Sequence, residues 1–226
     1  TREDMIAFHQ KYYYPANFIL AVSGDFETKD MLARLEKAFA NWPNQPGKPA
    51  AVPKPNYAPK PGVYIVDKKD VNQGRVSIIL PGIKRDDPDY FAVLVMNQVL
   101  GAGASSRVFM NLREEKGYTY GARCGYSMDR GLGYFSAGAR VRADVTGASL
   151  AEFLKEFSSL RSGNVSPEET TKARAARRMD MMESFAGLEG ILSSAAVLIV
   201  NDRPFTGLAD DLRKVRRPDF FLSLGH

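Results

Sequence analysis

Tyr118-Thr-Tyr-Gly-Ala-Arg-Cys-Gly-Tyr-Ser-Met128, followed by Asp129-Arg-Gly-Leu-Gly133 and by Tyr134-Phe-Ser-Ala-Gly-Ala-Arg-Val-Arg-Ala143, is a pair of strand-like segments around a glycine-bearing turn. That pattern predicts a β-hairpin, hence antiparallel pairing. Two further strands are expected upstream, at Val63–Asp67 and Arg75–Leu80. Between those pairs, Asp87-Pro88 opens a helix with proline at its first position, and Phe91, Leu94, Val95 and Leu100 bury it almost all round. Gly101-Ala-Gly-Ala-Ser-Ser106 reads as a flexible helix–helix connector, and residues 107–116 as a short helix that Gly117 ends.

Downstream of the hairpin, Asp144 is the expected cap of a helix with a stripe at Leu150, Phe153, Leu154, Phe157 and Leu160, ended by Gly163. Ser166-Pro167-Glu168-Glu169 spells a capping box with proline in the first turn. At least one more helix precedes Pro204. Paired strands with helices in blocks predict an α+β fold: a largely antiparallel β-sheet covered by α-helices.

The N-terminal part has a different pattern. Thr1 and Asp4 cap a helix over residues 2–13, Phe18–Ser23 reads as a short buried strand, and Thr28 caps a helix striped by Met31, Leu32, Leu35, Ala38 and Phe39. Seven prolines then fall within residues 43–62, which forbids a regular element there and predicts an extended linker. The expected organisation is helix–strand–helix over 1–42, a linker over 43–62 and a larger unit over 63–226. The first residues lie inside a helix and carry no initiator methionine, as a piece of a longer product would.

With 44% hydrophobic and 25% charged residues, the 226-residue chain has an ordinary globular composition. No apolar run reaches 18 residues, so no membrane span is expected. Cys124 is the sole cysteine, which excludes an internal disulfide and leaves cytoplasm and periplasm equally open. The net charge of +5 permits acidic partners. Yet Arg174, Arg177 and Arg178 share a helix with Glu168, Glu169, Asp180 and Glu183, and no aromatic-interleaved basic motif exists. A nucleic-acid partner is therefore not expected.

Histidine count bears on metal chemistry. Only His9 and His226 are present, whereas a catalytic zinc site needs about three protein ligands, commonly two histidines on one helix. No metal ligand is assigned to this chain. The segment around Arg113 and Tyr120 is more suggestive. A short helix ends at Gly117 and the chain reverses into a strand, so the two side chains can point into one space. A guanidinium and a phenol placed so can donate hydrogen bonds to a carbonyl oxygen as it gains charge. The structural alternative is an Arg113 paired with Glu114 or Asp129 and a Tyr120 filling a strand face, and on spacing alone it is the simpler reading.

Two stretches carry a family resemblance. Phe8-His-Gln-Lys-Tyr-Tyr-Tyr-Pro-Ala-Asn17, running on to Gly24-Asp25 and Trp42-Pro43, is one, and Leu100-Gly-Ala-Gly-Ala-Ser-Ser-Arg107-Val-Phe-Met-Asn-Leu-Arg113-Glu-Glu-Lys-Gly117-Tyr-Thr-Tyr120 is the other. In order and separation they resemble bacterial relatives of the mitochondrial processing peptidase, within the pitrilysin/insulinase family of zinc peptidases. The resemblance implies two similar α+β domains per half, two halves closing on a peptide substrate, and zinc in a partner half or an upstream domain. It implies that residues 1–42 end a preceding family domain and that Arg113 and Tyr120 bind substrate backbone and stabilise the transition state. The chain alone would then be inactive. The alternative is a structural subunit that kept the fold for assembly.

Overall fold

A computed structural model describes residues 1–44, 60–128, 131 and 133–216. Most of the proline-rich stretch, Asp129 and His226 lie outside these. The chain divides into two units, one from residues 1–66 with 187–196 and one from 67–186 with 197–226.

The larger unit holds a three-stranded antiparallel sheet in the order β1–β3–β2, with β1 Gln73–Pro81, β2 Thr119–Ser127 and β3 Tyr134–Arg142. The hairpin expected from the sequence is formed, with Ser127 opposite Tyr134, and β1 adds in unbroken register from Gln73 opposite Arg142 to Pro81 opposite Tyr134. Alternation leaves Val76, Ala122, Cys124, Phe135, Ala137 and Ala139 buried on one face. That face packs against Val108 and Leu112 from one side chain layer and Phe153 of α5, Thr146–Arg161, from another. A second apolar cluster joins Phe91, Val95 and Val99 to Ala173 and Met181 of α6, Pro167–Glu183, and Val215 of α8, Gly207–Arg216. The fold is α+β, as the sequence implies.

Several local expectations are corrected. Helix α3, Tyr90–Asn97, does not begin at Pro88; Asp87 and Pro88 form the preceding turn, closed by Tyr90 N–H donating to the Asp87 carbonyl. Asp144 does not cap α5; it sits in a 3-10 turn, Ala143–Val145, and its carboxylate turns back to Arg142. Leu154 is half-exposed and off the buried stripe, where Ser149 is enclosed instead. Nor is Gly101 a flexible connector. It lies in a π-helical turn, Gln98–Ala102, pressed against β2 so closely that a Cβ would stand 2.5 Å from the Cβ of Cys124. The Ser166 capping box is formed, with Glu169 at its third position.

The smaller unit holds α1, Arg2–Tyr12, with its Thr1–Asp4 capping box, α2, Thr28–Phe39, and the first turns of α7, Gly187–Val200. Helix α2 starts at Thr28 with Glu27 in the cap position and no side-chain cap. An aromatic chain runs Tyr13–Phe18–Trp42–Phe39, ring centres 5.0–5.8 Å apart. The strands expected at Phe18–Ser23 and Val63–Asp67 are not formed. Among the described residues nothing pairs with them, and Ile19, Leu20, Val63 and Ile65 are exposed. A strand exists by hydrogen bonding to a neighbour, so an apolar run alone does not make one.

Candidate substrate-binding site

The segment from Arg107 to Tyr120 is shaped by three pairs of residues four apart, each on its own side of one short helix. Helix α4, Arg107–Phe109, continues as π-helical turns over Met110–Glu115. Val108 and Leu112 are fully buried in the sheet-facing core. Arg107 and Asn111 tie the helix to its neighbours. The Arg107 guanidinium donates to both oxygens of Glu169 at 2.8 Å and also to the Asn164 carbonyl. Asn111 donates through Nδ2 to Glu152 at 2.9 Å and Glu156 at 2.7 Å. In the third pair Phe109 is partly buried and Arg113 exposed, with the Arg113 guanidinium 4.9 Å from the Phe109 ring centre.

Electrostatics fix this frame. The hydrogen bond from Arg107 holds the Glu169 carboxyl down at about 2, against an ordinary 4.5. Glu152 is lowered too, chiefly by the hydrogen bond from Asn111, with Lys155 adding to it. Cys124, close behind, is pushed the other way: burial raises its thiol to about 12, so it stays protonated and supplies no nucleophile.

Beyond the helix the chain reverses at Gly117, whose φ of +62° an L side chain rarely adopts. Gly117 N–H donates to the Arg113 carbonyl and Tyr118 N–H to that of Leu112. Strand β2 then begins with an irregularity. Thr119 faces Val141 and Ala122 faces Ala139, so three steps on β2 match two on β3. The extra residue is a β-bulge at Tyr120-Gly121, held by the Thr119 hydroxyl, which accepts from Gly121 N–H at 3.1 Å and donates to the Arg140 carbonyl. Bulges re-aim side chains. Tyr120 is 90% exposed here, while Ala122 is buried.

Arg113 and Tyr120 are thus both carried on rigidly anchored backbone and both open to solvent. The structural alternative is met in one half only. Arg113 Nε lies 3.4 Å from Glu114 Oε1, an exposed contact worth little, but Tyr120 fills no strand face. Thr119, Arg107 and Asn111 escaped the sequence reading; a glycine directly after Tyr120 in a strand was the available sign of a bulge.

Among the described residues no group of three His, Cys, Asp or Glu is gathered as a metal site requires. The His9 ring stacks on Tyr13 at 5.0 Å. No single helix among the described residues is long and apolar enough to cross a membrane.

Residues 1–177 match the family described as the peptidase M16 inactive domain, and the chain belongs to that family. It is 30% identical over 129 residues to an uncharacterised zinc protease of Streptomyces coelicolor, covering 53% of this chain and 27% of that protein. A probable inactive metalloprotease of Bacillus subtilis, YmfF, is 24% identical over 197 residues, 84% of this chain and 44% of that one. Two solved structures share the fold along the whole chain: a peptidase M16 inactive domain from Pseudomonas fluorescens (TM-score 0.75, 24% identity, 54% of that chain) and a protease from Helicobacter pylori (TM-score 0.79, 21% identity, 55% of that chain). The chain therefore spans about half or less of the length of these four relatives.

Proposed function

We propose that this chain is the substrate-clamping, zinc-free part of a peptidase whose hydrolytic machinery, zinc included, belongs to another half or domain. The observation that carries the reading is the Tyr120 bulge. A phenol held 90% exposed at the start of a strand fills no core among the described residues. It stands beyond a glycine reversal from Arg113, whose side chain is also solvent-exposed, though less so.

In this reading an extended peptide lies across the start of β2. Arg113 and Tyr120 donate hydrogen bonds to the scissile carbonyl, and they do so most strongly as the oxygen becomes an oxyanion. The Arg107–Glu169 and Asn111–Glu152–Glu156 contacts act at one remove, by fixing the helix that presents Arg113. In this reading, residues 1–42 are the end of a preceding family domain. Its unpaired segment Phe18–Ser23 would find strand partners in the rest of that domain. The test is turnover of an internally quenched peptide by the assembled peptidase carrying Arg113→Ala or Tyr120→Phe. Full activity in both variants would instead mark the chain as a structural subunit.

A further inference from the structure

The face of the sheet turned away from the core carries a charge arrangement that the Arg113–Tyr120 reading does not use. Not one of the three strands contains an Asp or Glu, yet they contain Arg75, Arg123, Arg140 and Arg142. Alternation puts all four on the open face, because Val76, Ala122, Cys124, Ala139 and Val141 are buried on the other. Arg75 stands directly opposite Arg140 in the β1–β3 register. Arg123 faces Gly138, two residues before Arg140 on β3, and is therefore Arg140's diagonal neighbour. Directly opposed residues have Cβ atoms about 4.5–5.5 Å apart, and like charges there are destabilising.

Nothing within the described residues offsets that repulsion. Arg142 is engaged by Asp144, but Arg75, Arg123 and Arg140 make no side-chain hydrogen bond or ion pair and are exposed. Beside them the face is floored by Ser77, Gly125, Ser136 and Gly138, with Ile79 and Tyr134 exposed at its far end. The bulge at Tyr120-Gly121 lies across from Arg140, so this patch adjoins the start of β2.

We infer that this open sheet face is a binding surface for the acidic side chains of an extended peptide, with Arg75, Arg123 and Arg140 as the carboxylate-binding groups. Charge complementarity selects that occupant. Three unpaired guanidinium forks, one on each of three neighbouring strands, can each take a carboxylate bidentately, and the Gly/Ser floor admits a main chain lying flat. A nucleic acid would call for a longer basic stripe than three arginines on adjacent strands, although Tyr120 and Tyr134 offer exposed rings, and the oligonucleotide below tests that occupant directly. The inference rests on the reading of the chain as a peptide clamp and adds a substrate preference to it: acidic residues to one side of the bond held at Tyr120.

Fluorescence anisotropy of the full chain with a labelled Glu-rich peptide, its Glu→Gln twin and a single-stranded oligonucleotide tests it. The Glu peptide is expected to bind about tenfold or more tighter than the twin, with the advantage shrinking as salt rises. Arg75→Gln, Arg123→Gln and Arg140→Gln should each erase part of that advantage, and Arg140→Lys should restore some of it. Equal binding of the two peptides, failure of both to bind, or tighter arginine-dependent binding of the oligonucleotide overturns the assignment. Tyr120→Phe separates this claim from the clamp: the Glu-over-Gln ratio should survive that change, whereas turnover in the assembled peptidase should not.

Discussion

Arg107 grips Glu169 through two parallel hydrogen bonds, Nε to Oε1 and Nη2 to Oε2, each 2.8 Å long. The two residues lie 62 positions apart, and the contact ties the helix that presents Arg113 to the N-terminal turn of α6. Glu169 also accepts from Ser166 N–H, so one carboxylate serves both the cap and the clamp.

That double use sets a pH dependence. The folded-state pKa of Glu169, about 2, lies below its ordinary 4.5. Its contribution to stability is therefore complete above about pH 4.5 and is lost as the pH falls through about 2. Its size is modest, about 1–2 kcal/mol, because the Glu169 side chain is 37% exposed. Urea denaturation between pH 5 and pH 2 should show a stability loss in the native chain that Glu169→Gln flattens. Arg107→Ala should cost about the same at neutral pH. An unchanged pH profile in Glu169→Gln would show that the clamp does not act on stability.

The two glycines flanking this helix fail for different reasons. At Gly117 an added Cβ meets nothing within 4 Å, so Gly117→Ala suffers only the left-handed backbone, about 1–2 kcal/mol. At Gly101 the added Cβ collides with Cys124 at 2.5 Å, and overpacking against a strand costs about 1–3 kcal/mol or more. Thermal melts should therefore rank Gly101→Ala as the less stable variant. Cys124→Ala removes only the Sγ and leaves the Cβ and backbone nitrogen at 2.5 Å, so Gly101→Ala/Cys124→Ala should recover little of the loss. Equal melting of the two single variants would contradict the close packing at Cys124.

Metal content gives a third test. With His9 stacked on Tyr13 and no gathered donor set among the described residues, the purified chain should retain far less than one zinc per molecule after dialysis and cleave no peptide unaided. One tightly held zinc per chain would overturn the placement of the hydrolytic machinery in another half.

What the sequence made legible follows from how local each feature is. The hairpin of β2 and β3, the Gly117 reversal and the Ser166 cap are written in neighbouring residues, and each is formed. The strands expected at Phe18–Ser23 and Val63–Asp67 had the right apolar residues, but pairing depends on a partner outside the segment. Arg75, Arg123 and Arg140 looked like scattered basic residues because only strand register brings them together. Tyr120 was found by its motif; the bulge that exposes it comes from Thr119, whose hydroxyl reaches Arg140 across the sheet.

Replacing Tyr120 by phenylalanine in the assembled peptidase tests the clamp most directly, because it deletes one exposed hydroxyl and leaves the ring, the bulge and the core untouched. If that hydroxyl donates to a developing oxyanion, kcat should fall about 10²-fold, with KM, zinc content and assembly little changed. Arg113→Ala should act on the same step, and the double variant should lose less than the product of the two single losses. A Tyr120→Phe enzyme with full kcat would contradict the account and leave Tyr120 as an exposed ring with no part in the reaction.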